Sequence, residues 1–376
     1  MYRQLYSHLY NAGCPTPEGI FLSNLSTPAR LLGAAVSAPV FDFWSRQFGS
    51  IQAWDRCLAR VVARHEEARG SVSLTLKPNR RFGGFQPGQH INLTAEVDGA
   101  RVTRSYSFTQ PPRADGLLRL TIKQVEGGRL STALCGLKPG AVVELGEAYG
   151  EMTLPQGPGR YLFLAAGSGV MPLMSLSLAL EQNPQAEATL VYWAQQRDEL
   201  CFAEELRQLS ARQPRFQVVF ALTRELRRRE GELDRRLDAG LLEALAPDLS
   251  GLQVYACGPR GFVEQARLLT QERAQRFHGE AFTPPEMAAG DQRVRVNLRS
   301  SGRSIEVPTG MPLLAALEAQ GLSPAYGCRM GLCNTCACRL VEGVGQNLNS
   351  GETIAEPGSE MRICISAARS DLTLDL

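Results

Sequence analysis

The sequence has no apolar run long enough to cross a bilayer, no surplus of charge of either sign and very little histidine. Each lack removes a class of function. The most apolar early stretch, Leu31 to Trp44, contains Asp42 and falls short of the roughly 20 apolar residues a membrane helix needs, so no transmembrane segment is expected. A net charge of +2 leaves no basic excess to face a phosphate backbone, which excludes nucleic acid as the main partner. The opening residues MYRQLYSHLYNAGCP hold no apolar core followed by a small-residue cleavage site. The expected location is therefore the cytoplasm, with at most peripheral contact at the inner face of a membrane. Only four histidines occur, and none after His278. That excludes a Rieske centre in the C-terminal part, and the chain offers neither a two-histidine, one-carboxylate set nor a haem-ligand context.

What is present falls into blocks. At about 100 to 200 residues per domain, 376 residues suggest two or three domains. From 65 to 155, short runs rich in β-formers (SVSLTLKP, HINLTAEV, RVTRSYSF, LLRLTIKQV, AVVELG) are separated by turn residues, which predicts an antiparallel β-barrel with a short helix near Leu130 to Cys135. From 156 to 278, the apolar runs YLFLAAG, TLVYWAQ, FQVVFALT and LQVYACG alternate with amphipathic segments at Glu199 to Leu209 and Phe262 to Gln275. This pattern predicts a doubly wound parallel α/β sheet, with its ligand beyond the carboxyl ends of the strands. Residues 279–290 read as a linker rich in Pro, Gly and Ala. Residues 291–376 carry the strands VRVNLRS, SIEVPTG and LTLDL, a helix at Leu313 to Ala319 and a cysteine loop, an α+β pattern. Residues 1–64 form an extension of unknown role whose Leu31, Leu32, Val36, Val40, Phe41, Phe43, Trp44 and Phe48 are expected to be buried.

Four of the ten cysteines lie between 328 and 338. Cys328, Cys333 and Cys336, followed by Cys364, have the C-x4-C-x2-C…C spacing of plant-type [2Fe-2S] ferredoxins. Three thiolates on one loop and a fourth from a distant strand can wrap two irons, and Gly327 and Gly331 let the backbone amides turn toward the sulfurs. Structural zinc sites favour paired C-x2-C units or histidines, which this spacing does not provide. Cys338, two residues past Cys336, is expected to be a buried non-ligand.

The remaining motifs carry a resemblance. Arg104-Ser-Tyr106-Ser107 ends a β-run and resembles the R-x-Y-S flavin motif of the ferredoxin-NADP reductase superfamily. The resemblance implies Arg104 on the flavin pyrophosphate, Tyr106 against the isoalloxazine and Ser107 near N5, consistent with a guanidinium fork for phosphate and an aromatic face for a flat ring. PGQHI, which includes His90, and IKQVEGGRLSTAL are similar to the family's other flavin segments; in the latter Ile122, Gly128, Leu130, Ser131 and Thr132 are the implied contacts. FAD rather than FMN is implied. Gly167-Ser168-Gly169-Val-Met-Pro172 looks like the loop for the nicotinamide dinucleotide's pyrophosphate, with Pro172 expected at the first helical position. Cys257-Gly258-Pro259, on what reads as the last parallel strand, resembles the motif beside the nicotinamide. Tyr106, Ser107 and Cys257 are thus the implied catalytic residues.

After the second strand of this domain, where an NAD-specific site would present an acid, stand Gln195, Gln196 and Arg197, and Arg224 follows the third strand, which favours NADPH over NADH. Arg224 also begins a basic run that could be a solvated face. As a whole the chain resembles a reductase fused to a C-terminal β-grasp-like ferredoxin domain. The implied function is electron transfer from NADPH through FAD and the cluster to an oxidase, a membrane acyl-CoA desaturase being favoured and a ring-hydroxylating or related oxygenase the alternative. A redox sensor or noncatalytic carrier is the reading from another class.

Overall fold

The computed structural model describes residues 37–283, 290 and 292–376. The chain divides into two compact units, 1–55 and 56–376.

In the first unit the described part is a helix, α1 (Ala38–Gln47), and a return segment. The Trp54 N–H donates to Asp42 Oδ1 at 2.8 Å, and the Trp54 ring meets the edge of Phe41. Contrary to the expected burial, Phe43 and Trp44 are each 54% exposed and Phe48 81% exposed. One short helix and its return segment have too little surface to cover so many large side chains. Leu31, Leu32 and Val36 lie outside the described residues.

The second unit begins with six antiparallel strands: β1 (Cys57–Ala68), β2 (Ser71–Pro78), β3 (His90–Val97), β4 (Ala100–Ser107), β5 (Leu118–Lys123) and β6 (Val142–Tyr149), in the order β4-β3-β6-β1-β2-β5. A bridge between Phe108 and Leu120 joins the two ends of that order and closes the barrel. Its core takes alternate residues, among them Leu74, Leu76, Ile91, Leu93, Leu120 and Ile122, and helix α2 (Arg129–Cys135) contributes Leu130 and Leu134. The barrel starts earlier than position 65. Strand β1 carries Arg60, Arg64, His65 and Glu66, a charge-rich face that hides its alternation in the sequence.

Five parallel strands follow: β7 (Arg160–Ala166), β8 (Glu187–Ala194), β9 (Phe216–Leu222), β10 (Leu252–Gly258) and β11 (Arg276–Ala281), in the order β11-β10-β7-β8-β9. Helices α3 (Val170–Ala179), α4 (Ala203–Arg212), α5 (Ala239–Leu245) and α6 (Arg260–Thr270) accompany them. The sheet is buried on both faces, since Tyr161, Phe163 and Ala165 of β7 enter one core while Leu162 and Leu164 enter the other. Two expectations change here. LQVYACG is not the last parallel strand, because β11 lies outside it, and β11 runs three residues past 278 into the expected linker. As an edge strand paired on one side only, HGEA needs no continuous apolar character. The chain order reverses on either side of β7, so the switch point lies between β7 and β10.

The last domain has a five-stranded mixed sheet of β12 (Arg293–Leu298), β13 (Arg303–Pro308), β14 (Ala337–Glu342), β17 (Glu360–Arg362) and β19 (Leu372–Asp375), in the order β13-β12-β19-β14-β17. Helix α7 (Leu313–Ala319) packs on it through Leu313 and Leu317. A small sheet of β15 (Gly345–Asn347), β16 (Thr353–Ile354) and β18 (Ser366–Ala368) was not evident in the sequence, because strands of two or three residues are too short to show a period.

Candidate functional site

A cleft of about 690 Å³ opens where the three domains of the second unit meet. The barrel contributes His90, Arg104, Ser105, Tyr106, Ser107 and the 123–131 turn, the α/β domain Ser168 and Met171, and the last domain Cys328, Arg329 and Met330. Its size suits a ligand well beyond a single ring.

The barrel wall follows from strand alternation. Along β3, Ile91 and Leu93 point into the core, so His90 and Asn92 point out of it. His90 pairs with Ser107 of β4 in register, and its Nδ1 lies 2.9 Å from Ser107 Oγ. Its other nitrogen, Nε2, lies 2.5 Å from Glu280 Oε2 on β11. All three side chains are buried. Ser107, His90 and Glu280 thus form a continuous hydrogen-bonded line from the cleft into the α/β domain. Glu280 was missed in the sequence because it lies in the stretch that reads as linker. In the structure it pairs opposite Cys257 on β10.

Tyr106 lines the cleft, and burial holds its phenol above the ordinary value, so it stays neutral. The Arg104 guanidinium donates to the Thr103 carbonyl at 2.7 Å and lies 5.8 Å from the Tyr326 ring of the last domain. Gly128, Leu130 and Ser131 also line the cleft. The Ser131 hydroxyl is used in shaping the turn, donating to the Gly128 carbonyl and accepting the Val125 N–H, each at 3.2 Å. Two implied contacts are not brought in. Ile122 is wholly within the barrel core, and Thr132 faces a separate hollow beside Arg64 and Gly136.

At the switch point, Gly167 adopts φ +56°, and a Cβ on Gly169 would stand 1.9 Å from the Cys257 carbonyl. The loop after β7 and the end of β10 can approach only without that side chain. Ser168 reaches the cleft. Pro172 is the third residue of α3 rather than the first, a place where the missing N–H still costs little because first-turn amides lack helical acceptors. The Cys257 thiol is fully buried, lies 3.2 Å from the Met152 sulfur and is pushed well above its ordinary pKa by burial. Gly258 and Pro259 carry the chain from β10 into α6.

Arg197 sits in a clamp. Its Nε donates to Glu232 at 2.9 Å, its Nη2 to Glu232 and to the Arg227 carbonyl, each at 2.6 Å, and Glu225 lies 3.7 Å away. The hydrogen bond from Arg197 lowers Glu232 to about 2. The Arg197 charge is therefore matched by two carboxylates, whereas Arg224 is exposed at the end of β9.

In the last domain the loop amides converge on sulfur. The N–H groups of Met330, Leu332 and Cys333 lie 3.3, 3.3 and 3.4 Å from Cys328 Sγ, and the Cys328 N–H lies 3.2 Å from Cys333 Sγ. Arg329 and Asn334 take φ of +60° and +54°, and Gly331 +76°, so the loop holds a conformation that side chains resist. Among the described residues, no three metal-ligating side chains gather as they would around one ion. The thiols instead meet in two pairs, Cys328 with Cys333 and Cys336 with Cys364. In each pair one sulfur, Cys333 or Cys336, is held toward thiolate by its partner's hydrogen bond. Two pairs of sulfurs within one amide cradle fit a two-iron cluster. Cys338 is buried on β14 with its thiol 3.6 Å from the Met361 carbonyl.

Family models match in the same order as the three domains: an oxidoreductase FAD-binding domain over 61–154, an oxidoreductase NAD-binding domain over 163–268 and a 2Fe-2S iron-sulfur cluster binding domain over 296–369. An NADPH oxidoreductase of Mycobacterium tuberculosis (strain ATCC 25618 / H37Rv) is 34% identical over 326 residues, 84% of this chain and 83% of that protein. The chain belongs to the ferredoxin-NADP reductase superfamily, with a C-terminal [2Fe-2S] domain. The reductase is also 29% identical to the glycine betaine monooxygenase reductase subunit of Pseudomonas aeruginosa (strain UCBPP-PA14), over 77% of this chain and 87% of that one. Its fold matches phthalate dioxygenase reductase with a TM-score of 0.60 at 22% identity, covering 86% of the reductase and 98% of the other chain. It is an oxidoreductase with FAD, nicotinamide-nucleotide and [2Fe-2S] domains. Among the described residues, no helix is long and apolar enough to cross a membrane.

Proposed function

We propose that the reductase oxidises NADPH and delivers the electrons singly to the oxygenase component of a multicomponent oxygenase. Each NADPH yields NADP+, one proton and two electrons, which reduce two one-electron equivalents of acceptor. When bound, FAD supplies the exchange between hydride and single-electron chemistry, and the cluster supplies the one-electron outlet. Arg104, Tyr106 and the 123–131 turn would hold the flavin, and Cys328, Cys333, Cys336 and Cys364 the irons. Ser107 presents its hydroxyl to the cleft, and His90 and Glu280 give a proton a path to or from Ser107 Oγ.

The observation that carries this reading is the cleft itself, walled on one side by Ser107 and Ser168 and on another by the cysteine loop at Cys328 to Met330. NADPH is favoured by exposed Arg224 and by the name of the mycobacterial relative. The monooxygenase reductase relative supports an oxygenase as acceptor, and no relative reported above speaks for a desaturase. One observation favours the membrane desaturase as a second reading, the aromatic face of α1.

The test is turnover of the loaded protein with NADPH against ferricyanide, which takes electrons from flavin, and against cytochrome c. Cys333→Ser should keep ferricyanide reduction and abolish most cytochrome c reduction. A full cluster spectrum in that variant would reject the ligand set. Co-purification of the native acceptor separates the two partner readings: a soluble oxygenase component supports the first and a membrane desaturase the second.

A further inference from the structure

Asn92 lies two residues after His90 on the same outward face of β3, but it reaches the last domain instead of the α/β domain. Its Nδ2 lies 3.4 Å from Thr335 Oγ1, and the Thr335 hydroxyl lies 3.2 Å from Cys333 Sγ. The amide orientation is set from the other side, where the Tyr149 hydroxyl donates to Asn92 Oδ1 at 3.2 Å. Tyr149 in turn is hydrogen-bonded to Ser105, which lines the flavin cleft. Burial keeps the Tyr149 phenol protonated and therefore a donor. An amide has separate donor and acceptor ends, so a donor on its oxygen leaves its N–H for Thr335. With its oxygen lone pair engaged by Asn92, the Thr335 hydroxyl turns its single proton to Cys333, whose Sγ at 3.2 Å is a nearer acceptor than its carbonyl oxygen at 3.5 Å. Every bond in the line from Ser105 to Cys333 then points the same way. The approach is close: a Cβ on Gly327 would stand 2.5 Å from Asn92 Nδ2 and 2.7 Å from Cys333 Sγ.

We infer that Asn92, held by Tyr149, is a positioning residue through which the flavin barrel sets the hydrogen bond onto a cluster ligand, so that the cluster's reduction potential depends on contact with the barrel. This inference rests on the proposed path from flavin to the four-cysteine cluster. A hydrogen bond to a ligand sulfur favours the reduced, more negative cluster and raises its potential. Because the donor, Thr335, is oriented by a residue of the barrel, part of that effect is present only while the two domains are in contact. The line is also cooperative, each hydroxyl or amide polarising the next.

The experiment uses the full chain carrying FAD and the cluster. EPR-monitored potentiometric titration gives the cluster potential, and anaerobic stopped-flow with NADPH gives flavin and cluster reduction separately. Thr335→Val should lower the potential enough to shift the flavin-to-cluster electron equilibrium about tenfold against the cluster, about 59 mV for one electron. Thr335→Ser should retain the wild-type value. Asn92→Leu should lower the potential in the same direction, Tyr149→Phe by less, and Asn92→Leu should add nothing to Thr335→Val in the double variant. All four single variants should reduce ferricyanide at the wild-type rate. Unchanged potentials in both Asn92→Leu and Tyr149→Phe, or shifts that add independently of Thr335, would overturn the inference while leaving the electron path intact. A wild-type cluster that stays oxidised while NADPH reduces the flavin would overturn the proposed path, and the inference with it.

Discussion

At the scale of single residues, the arginines expected to select NADPH separate into two roles. Arg197 already has two carboxylate partners, and to bind a phosphate it would have to give up its hydrogen bonds to Glu232, whose carboxylate would keep the Arg229 N–H. Arg224 carries no such cost. Arg224→Ala should raise the KM for NADPH relative to that for NADH by roughly 10-fold to 150-fold, the equivalent of one charge-assisted hydrogen bond of about 1.5 to 3 kcal/mol. Arg197→Ala should affect both nucleotides alike, and steady-state kinetics with the two cofactors would expose the reverse pattern.

The same clamp has a pH signature. Glu232 is depressed from 4.5 to about 2 when folded, so its contribution is present above the unfolded value and is lost as pH falls from about 4.5 toward 2. Discounted for the partly exposed guanidinium, it is on the order of 2 kcal/mol. Glu232→Gln should therefore destabilise at neutral pH and make denaturation less acid-sensitive across that window. Urea midpoints measured at pH 7 and pH 3 that fall by equal amounts in variant and parent would contradict this.

At the scale of elements, the legible features were those with a period or a fixed spacing. Helix α7 appears at Leu313–Ala319 as the pattern predicts, and the cysteines of the motif lie in two pairs, three of the four on one loop and the fourth just after β17. Strand β1 was missed behind its charges, and β11 because Gly279 and its polar neighbours resemble a linker. Glu280 went with β11. The family resemblance implied a catalytic role for Cys257; a motif gives position along a strand and not the direction of a thiol, which here packs on Met152.

Gly88 is an element-scale feature of another kind. At φ +88°, a Cβ there would stand 1.9 Å from the Met152 carbonyl and 2.8 Å from Leu176, so the loop before β3 touches the α/β domain only because it is bare. Gly88→Ala combines backbone strain with a steric clash and should destabilise by about 1 to 3 kcal/mol. A thermal melt should show the loss together with weaker flavin retention, and an unchanged melting temperature would mean that the contact is not rigid.

At the scale of the whole molecule, residues 56–376 contain separate cores for barrel, α/β domain and last domain, with Met152 joining the α/β core and Ala68 of β1 packed against it. Deleting residues 1 to 50 should therefore leave flavin content and ferricyanide reduction near those of the full chain. Partner-coupled turnover is the quantity expected to fall if the exposed Phe43, Trp44 and Phe48 serve docking. Loss of flavin on deletion would instead make the segment a structural strap.

The bare backbone at Gly327 bears on how such a protein could be assembled from parts. A ferredoxin domain taken from a different chain could fold in place of residues 292–376, since its core is its own. Unless the graft also carried glycine at that position, a side chain there would press on the Asn92 amide, on Cys333 Sγ and on the Thr335 hydroxyl, and the line that joins them would have to shift. Such a chimera would contain every cofactor domain and still lack the seam between barrel and ferredoxin domain that this chain has.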